Sequence, residues 1–255
     1  MSDNSTRWNG VGDQSCILAA TGAFVDLPAI GQLPDRTLAG LIDHTLLKPD
    51  ATADQVRQLC SEAIEYNFFS VCVNPVQVPV AAAALAGTGI AVCTVIGFPL
   101  GATFTAIKVA ETRQAIASGA NEVDMVLDIG ALKAGDHQRV EDDIRAVAEA
   151  SGNHILKVIF ETGLLGEAEI GKAAELSLSA GADFIKTSTG FAGSGATAAA
   201  IQLMRSVAGS AMGVKASGGV RDHAGAMEMI RAGASRIGAS ASIAIVNGGT
   251  SSSQY

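Results

Sequence analysis

Charge and aromatic rings are both scarce in this chain of 255 residues: Asp, Glu, Lys and Arg make up 16%, and Phe, Trp and Tyr only 4%. Low charge beside 48% apolar residues excludes a disordered chain and a long coiled coil, and the 29 glycines follow no collagen-like repeat. Cations are the rarer sign, 17 Lys and Arg against 25 Asp and Glu, for a net charge of −8. No block of Lys or Arg occurs, which argues against a nucleic-acid or membrane-surface partner. A local cationic pocket for a phosphorylated metabolite stays compatible with that balance. No run of about 18 apolar residues lacks charge or turn signals, so no membrane span is expected. The apolar stretch Cys16–Val25 follows Arg7, but Asp3, Asp13, Asp26 and Pro28 fit a secretory leader poorly. The four cysteines, Cys16, Cys60, Cys72 and Cys93, form no C-x-x-C pair and read as buried free thiols, so a cytoplasmic location is expected. The four histidines, His44, His137, His154 and His223, have no metal-ligand spacing; no metal and no cofactor are expected. His44 reads as a packing or hydrogen-bonding residue.

What the chain does have is repetition. Short apolar, β-branched runs end in Gly, Thr, Ser or Asn, and Ala-rich amphipathic stretches follow them. Eight candidate strands stand out: 41–45, 68–74, 90–98, 122–130, 155–163, 184–189, 213–219 and 236–240. Helical stretches fall at 53–66, 76–86, 103–118, 136–150, 167–180, 198–208 and 222–232. Continuous apolar strands alternating with helices predict an α/β fold with a parallel sheet covered by helices. Eight such units predict a single (β/α)8 TIM barrel over 36–247, with an N-terminal extension at 1–35 and a flexible tail at 248–255. An open doubly wound sheet is the alternative.

In such barrels the chemistry lies at the carboxyl ends of the strands. The first candidate strand ends Asp43-His44-Thr45, and the fourth places Glu122, Asp124 and Asp128 on one face by their even spacing. The fifth carries Lys157 and Glu161, the sixth Lys186 and the seventh Lys215. Charges on buried strands are costly unless paired, so Lys157 with Glu161 or Glu122 reads as an internal ion pair. Lys186 and Lys215 read differently, because both sit late on adjacent strands and small residues follow each. Two ammonium groups about 5 Å apart repel by about 3 kcal/mol at an effective dielectric near 20, enough to raise the free-amine fraction about a hundredfold. A free amine condenses with a carbonyl to a Schiff base, whose protonated imine is an electron sink for carbon–carbon cleavage.

Several stretches resemble one family in order along the chain: Leu41–Pro49, Val71–Pro75, Thr94–Gly101, Glu122–Val126, Lys157–Gly163, Gly181–Gly190, and Gly213-Val214-Lys215 with Gly218–Arg221. Together they cover about residues 38–245, and the sequence is similar to the deoxyribose-phosphate aldolases, class I aldolases on a TIM barrel. The resemblance implies reversible cleavage of 2-deoxy-D-ribose 5-phosphate to D-glyceraldehyde 3-phosphate and acetaldehyde. It implies Lys186 as the Schiff-base lysine, Lys215 as its partner, and Asp124 as the aspartate that relays protons with Lys215 through water. Asp43 matches an aspartate lining the family's pocket. Small phosphosugar and aldehyde substrates are the implied partners, and a homodimer is compatible with the resemblance.

The phosphate is expected against the loops after strands six to eight, where Thr189, Gly190, Gly218, Gly219 and Ser240 offer backbone or hydroxyl donors. Two departures from the family pattern fall there: Phe191 stands where Lys is frequent, and Ala241 where a second Ser is common. Strand seven reads Ala216-Ser217 in place of the usual Pro-Ala. The tail ends in Tyr255, a hydroxyl that a mobile tether could bring to the pocket. A different Schiff-base barrel enzyme and a non-enzymatic sugar-phosphate binder are the competing readings; covalent trapping of acetaldehyde separates the second of these.

Overall fold

The computed structural model describes residues 38–250, together with Cys16–Leu18 and Phe24–Asp26, which pair antiparallel. The rest of the expected N-terminal extension, and Tyr255 with the last residues of the tail, lie outside the described residues. Strands β1 (Ile42–Leu46), β2 (Ser70–Val73), β3 (Ala91–Ile96), β4 (Glu122–Val126), β5 (Ile155–Ile159), β6 (Phe184–Lys186), β7 (Gly213–Ser217) and β8 (Arg236–Ala239) form a closed parallel barrel. Closure is direct: β8 pairs with β1 through Ile237–Ile42, Gly238–Asp43 and Ala239–His44. An open doubly wound sheet is thereby excluded. The helices are α1 (Ala53–Tyr66), α2 (Val78–Ala84), α3 (Thr105–Ala117), α4 (Ile129–Lys133), α5 (His137–Ser151), α6 (Glu167–Ser179), α7 (Ala198–Ala208), α8 (His223–Arg231) and α9 (Ser242–Val246). Among the described residues no helix is long and apolar enough to cross a membrane.

Local chemistry explains where these elements begin and end. Thr52 accepts the Gln55 amide while the Gln55 side chain returns to the Thr52 amide, a capping box that starts α1. Asn67 stops it in the left-handed conformation at φ 54°, which Asn adopts more readily than most residues. Between these ends Val56, Leu59, Cys60 and Ala63 repeat at helical spacing and are buried. Thr197, Asp136 and Asp222 cap α7, α5 and α8 in the same way.

The barrel has two interiors of opposite character. Outward-facing strand residues such as Val71, Val123, Met125, Val158, Ile185 and Val214 join the helices in one apolar core. Each fully buried side chain of this kind contributes about 1.5–3 kcal/mol. The alternate residues face the barrel axis, and seven of them are ionic: Asp43, Glu122, Asp124, Lys157, Lys186, Lys215 and Arg236 are all buried. A small apolar cluster of Leu47, Cys72, Cys93 and Val95, with Phe98 against it, completes that inner lining. The outer core thus stabilises a barrel whose axis carries charge.

Several strands are shorter than the sequence suggests. The fourth ends at Val126 rather than running to residue 130, because Asp128 caps α4 by accepting the Ala131 amide at 3.0 Å. Asp128 also pairs with Arg139 at 2.6 Å, so it does not join Asp124 on the barrel axis as its spacing predicts. The fifth ends at Ile159, and Glu161 adopts φ 58°, an uncommon conformation for a residue with a side chain. Glu161 therefore turns away from Lys157, which pairs with Glu122 instead.

Candidate active site

Asp124, at mid-strand in β4 and fully buried, organises the barrel axis. Its Oδ2 accepts hydrogen bonds from Lys186 at 2.9 Å and Lys215 at 2.8 Å. Its Oδ1 accepts from Lys157 at 2.8 Å and from the Cys93 thiol at 3.2 Å. Strand register produces this convergence, since Asp124 lies opposite Lys157 across β4 and β5, and Lys186 opposite Lys215 across β6 and β7. The Lys186 and Lys215 nitrogens share one oxygen, so they lie within about 6 Å of each other, the sum of those two bonds.

A second ring of ions supports the first. Lys215 also meets Asp43 Oδ2 at 2.5 Å, and Lys157 meets Glu122 at 2.5 Å. Arg236 donates to Asp43 Oδ1 at 2.7 Å and to Glu122 at 3.3 Å, and its guanidinium covers the Phe69 ring at 3.4 Å. Ser70 completes the shell of Asp43 at 2.7 Å. Room for Lys215 comes from Gly238 on the neighbouring strand: a Cβ there would stand 2.8 Å from Lys215 Cε.

Counting charges shows which amine is exceptional. Four buried cations, Lys157, Lys186, Lys215 and Arg236, face three carboxylates, Asp43, Glu122 and Asp124. Lys157, Lys215 and Arg236 each touch two of these carboxylates. Lys186 alone among the four touches one, through an oxygen it shares. Burial opposes charge on Lys215, but Asp124 and Asp43 hold its pKa well above the ordinary lysine value. Burial would likewise raise the pKa of Asp124, yet the ammoniums of Lys157, Lys186 and Lys215 hold it well below the usual carboxylate range. Asp43 is lowered by Arg236 and Lys215 against the same burial effect. The two lysines are therefore not the bare repelling pair that their spacing suggests. A carboxylate bridges them, Lys215 is kept cationic, and Lys186 has the fewest carboxylate contacts of the four.

The loops above this centre hold the remaining expected residues. Thr189 donates its hydroxyl to Glu161, accepts the Phe191 amide at 3.0 Å, and is buried. Gly190, Gly218 and Gly219 take φ values of 88°, 85° and 78°, and Gly195 lies against the Gly218 carbonyl, so two loops meet there without side chains between them. Ser240 is exposed and lines a cavity with His44, Gln58 and Glu62. Phe191 packs edge-on against Phe98, ring centres 5.3 Å apart. His44 hydrogen-bonds Ser242 at 3.0 Å and Glu62 at 2.8 Å, linking the middle of β1 to α9 and α1, the hydrogen-bonding role expected of it.

Sequence reasoning missed Arg236, the Cys93 contact and Ser188. Arg236 opens an apolar strand, and that isolated charge was the available signal. The Cys93 contact with Asp124 had none, because its spacing matches no motif. Glu161 Oε1 and Ser188 Oγ are buried without a hydrogen-bond partner among the described residues, at the carboxyl end of the barrel beside Thr189 and Gly218.

Comparisons with known proteins agree with this geometry. The DeoC/LacD family aldolase model matches residues 37–251. A protein of Exiguobacterium sibiricum named deoxyribose-phosphate aldolase is 60% identical over 219 residues, covering 86% of this chain and 99% of its own. One of the same name from Rhodospirillum rubrum is 60% identical over 220 residues, covering 86% and 91%. The deoxyribose phosphate aldolase structure from Aeropyrum pernix, described as tetrameric, superposes with a TM-score of 0.79 at 32% identity, covering 84% of this chain and 91% of that one. With the closed barrel, the buried amines and the family model over most of the chain in agreement, the chain belongs to the DeoC/LacD aldolase family.

Proposed function

We propose that Lys186 is the amine that forms the Schiff base in cleavage of 2-deoxy-D-ribose 5-phosphate, with Asp124 and Lys215 moving the protons. In its neutral form Lys186 attacks C1 of the open-chain aldehyde, and loss of water gives a protonated imine. Asp124, with Lys215 beside it, takes the proton from the C3 hydroxyl. The C2–C3 bond then breaks, its electron pair passes into the imine to make an enamine, and C3 leaves as the aldehyde of D-glyceraldehyde 3-phosphate. Protonation of the enamine at C2 and hydrolysis release acetaldehyde and restore Lys186. The observation that carries these roles is the single Asp124 oxygen shared by both amines. It puts a proton acceptor between the nucleophile and a lysine that stays cationic.

Glycines at positive φ after β6 and β7 support phosphate binding by backbone amides of Gly190, Gly218 and Gly219, with buried Thr189 beside Gly190 and exposed Ser240 after β8 as further donors. A homodimer is the assembly we carry forward. Leu100, Phe104 and Ile107 are exposed by 73%, 82% and 54%, an apolar strip that a second copy could cover. Acetaldehyde release from 2-deoxyribose 5-phosphate tests the catalytic reading. The wild type is expected to be active and folded Lys186→Arg inactive; activity in that variant overturns the assignment. Sedimentation at micromolar concentration tests the dimer, and a monomer there removes it.

A further inference from the structure

Two buried thiols stand beside Asp124 and take no part in the steps above. Cys72 and Cys93 are register partners across β2 and β3, so their side chains leave the sheet side by side toward the axis. Their sulfurs and an Asp124 carboxylate oxygen all lie within 4.8 Å of one another. Two sulfurs and one oxygen around a tetrahedral zinc, with bonds near 2.3 and 2.1 Å, sit roughly 3.5–3.8 Å apart, so small side-chain adjustments suffice. Leu47, Val95 and Phe98 pack in one apolar cluster with the two thiols.

We propose that Cys72, Cys93 and Asp124 form an inhibitory site for a thiophilic divalent cation, of which zinc is the physiological representative. Binding makes two metal–sulfur bonds and one metal–oxygen bond, a solvent water takes the fourth position, and the two thiol protons leave to solvent. The ion brings two positive charges and replaces two protons, so the charge of the buried cluster does not change. Lys157 Nζ, 2.8 Å from Asp124 Oδ1 and 3.4 Å from Cys93 Sγ, must move aside from both ligand atoms, and it keeps Glu122 at 2.5 Å as its counter-charge. Lys186 and Lys215 keep Oδ2. A metal on Oδ1 withdraws electron density from the carboxylate, so Oδ2 becomes a weaker base for the substrate's hydroxyl proton. Thiolate ligands make the site selective for soft or borderline ions over magnesium and calcium, which take oxygen ligands. The ion is an inhibitor and no part of the reaction, which distinguishes the site from the metal of a class II aldolase.

The test uses the reduced full-length protein, with turnover and ultraviolet absorption read on the same samples. Zinc is expected to inhibit, a chelator to restore the rate, and magnesium to have no effect. Cadmium as a probe should add a thiolate-to-metal charge-transfer band. Cys93→Ala, compared with its own metal-free rate, should need at least about tenfold more zinc and lose the band. Cys72→Ser provides the same test should that variant not fold, and Cys60→Ala, on α1, should behave as wild type. Equal zinc sensitivity in wild type and both variants, or no cadmium band in the wild type, overturns the site. A band that appears while turnover is unchanged overturns the inhibitory role, whereas the catalytic role of Asp124 is judged by Asp124→Asn without metal, so the two readings fail separately.

Discussion

Replacing Asp124 by Asn removes the one carboxylate that three buried ammoniums share. The side chain keeps its size and both polar atoms, so packing is preserved and the effect is electrostatic. Four cations would then face two carboxylates, Asp43 and Glu122, where the wild type has three. Stranding charge in a buried network costs about 3–5 kcal/mol. Against a typical folding free energy of about 5–15 kcal/mol, the variant stays folded but loses much of its margin. Part of the cost is relieved when one ammonium sheds its proton, which raising the pH makes easier. The sign follows: a cation disfavoured in the folded state destabilises below its unfolded pKa of about 10.4, and that penalty fades as pH rises towards it. Urea unfolding should therefore show the deficit shrinking between about pH 7 and pH 10. Turnover should fall by about 10²–10⁴-fold, the usual contribution of a positioned acid–base group. Borohydride with acetaldehyde should still label Lys186, because imine formation needs the amine and not the relay. A folded Asp124→Asn enzyme turning over at the wild-type rate would refute the reasoning.

Other residues give independent tests. Gly238→Ala places a Cβ 2.8 Å from Lys215 Cε and 3.0 Å from Ser217 Cβ, so Lys215 must shift. The fold should survive at a cost of about 1–3 kcal/mol while kcat falls by more than stability explains; an unchanged kcat contradicts the role of Lys215. Asp43→Asn breaks buried contacts with both Lys215 and Arg236 and should cost about 3–5 kcal/mol in urea unfolding. The pKa of Asp43 is lowered in the folded state, so its contribution is present above an unfolded value of about 3.9 and lost as pH falls through the folded one. The wild type should therefore shed more stability than the variant as pH drops below about 4, and parallel curves would count against it. Phe191→Lys should lower KM for 2-deoxyribose 5-phosphate about fivefold, the effect of about 1 kcal/mol from a partly exposed ion pair, and leave KM for deoxyribose unchanged. Equal wild-type KM values for the two sugars would remove the phosphate site altogether.

The barrel was legible in the sequence because its signal is repeated eight times, and each repeat corrects the others. Both ends of α1 and the start of α7 could be read directly, since Thr52, Asn67 and Thr197 mark them chemically. Strand ends were less legible. Glu122 to Gly130 reads as one apolar run, and only the Asp128 side chain folding back on the Ala131 amide ends it early. Lys186, Lys215 and Asp124 were visible as charges where charge is costly, and the family resemblance gave them roles. The compensation among them was not visible, because it depends on which oxygen each nitrogen reaches. Arg236 is nearly two hundred positions from Asp43 in sequence, yet its guanidinium neutralises that carboxylate, so the partition of charge is a property of closure. Cys72 and Cys93 show the same limit: two unremarked thiols become neighbours only through strand register.

The account rests on Lys186 being the amine that becomes covalent with substrate. Borohydride reduction of the wild-type enzyme in acetaldehyde, followed by peptide mass mapping, reads that directly. An ethyl group on Lys186, with Lys215 and Lys157 unmodified, is the predicted result. Modification centred on Lys215, or no adduct in an enzyme that still releases acetaldehyde, would contradict it.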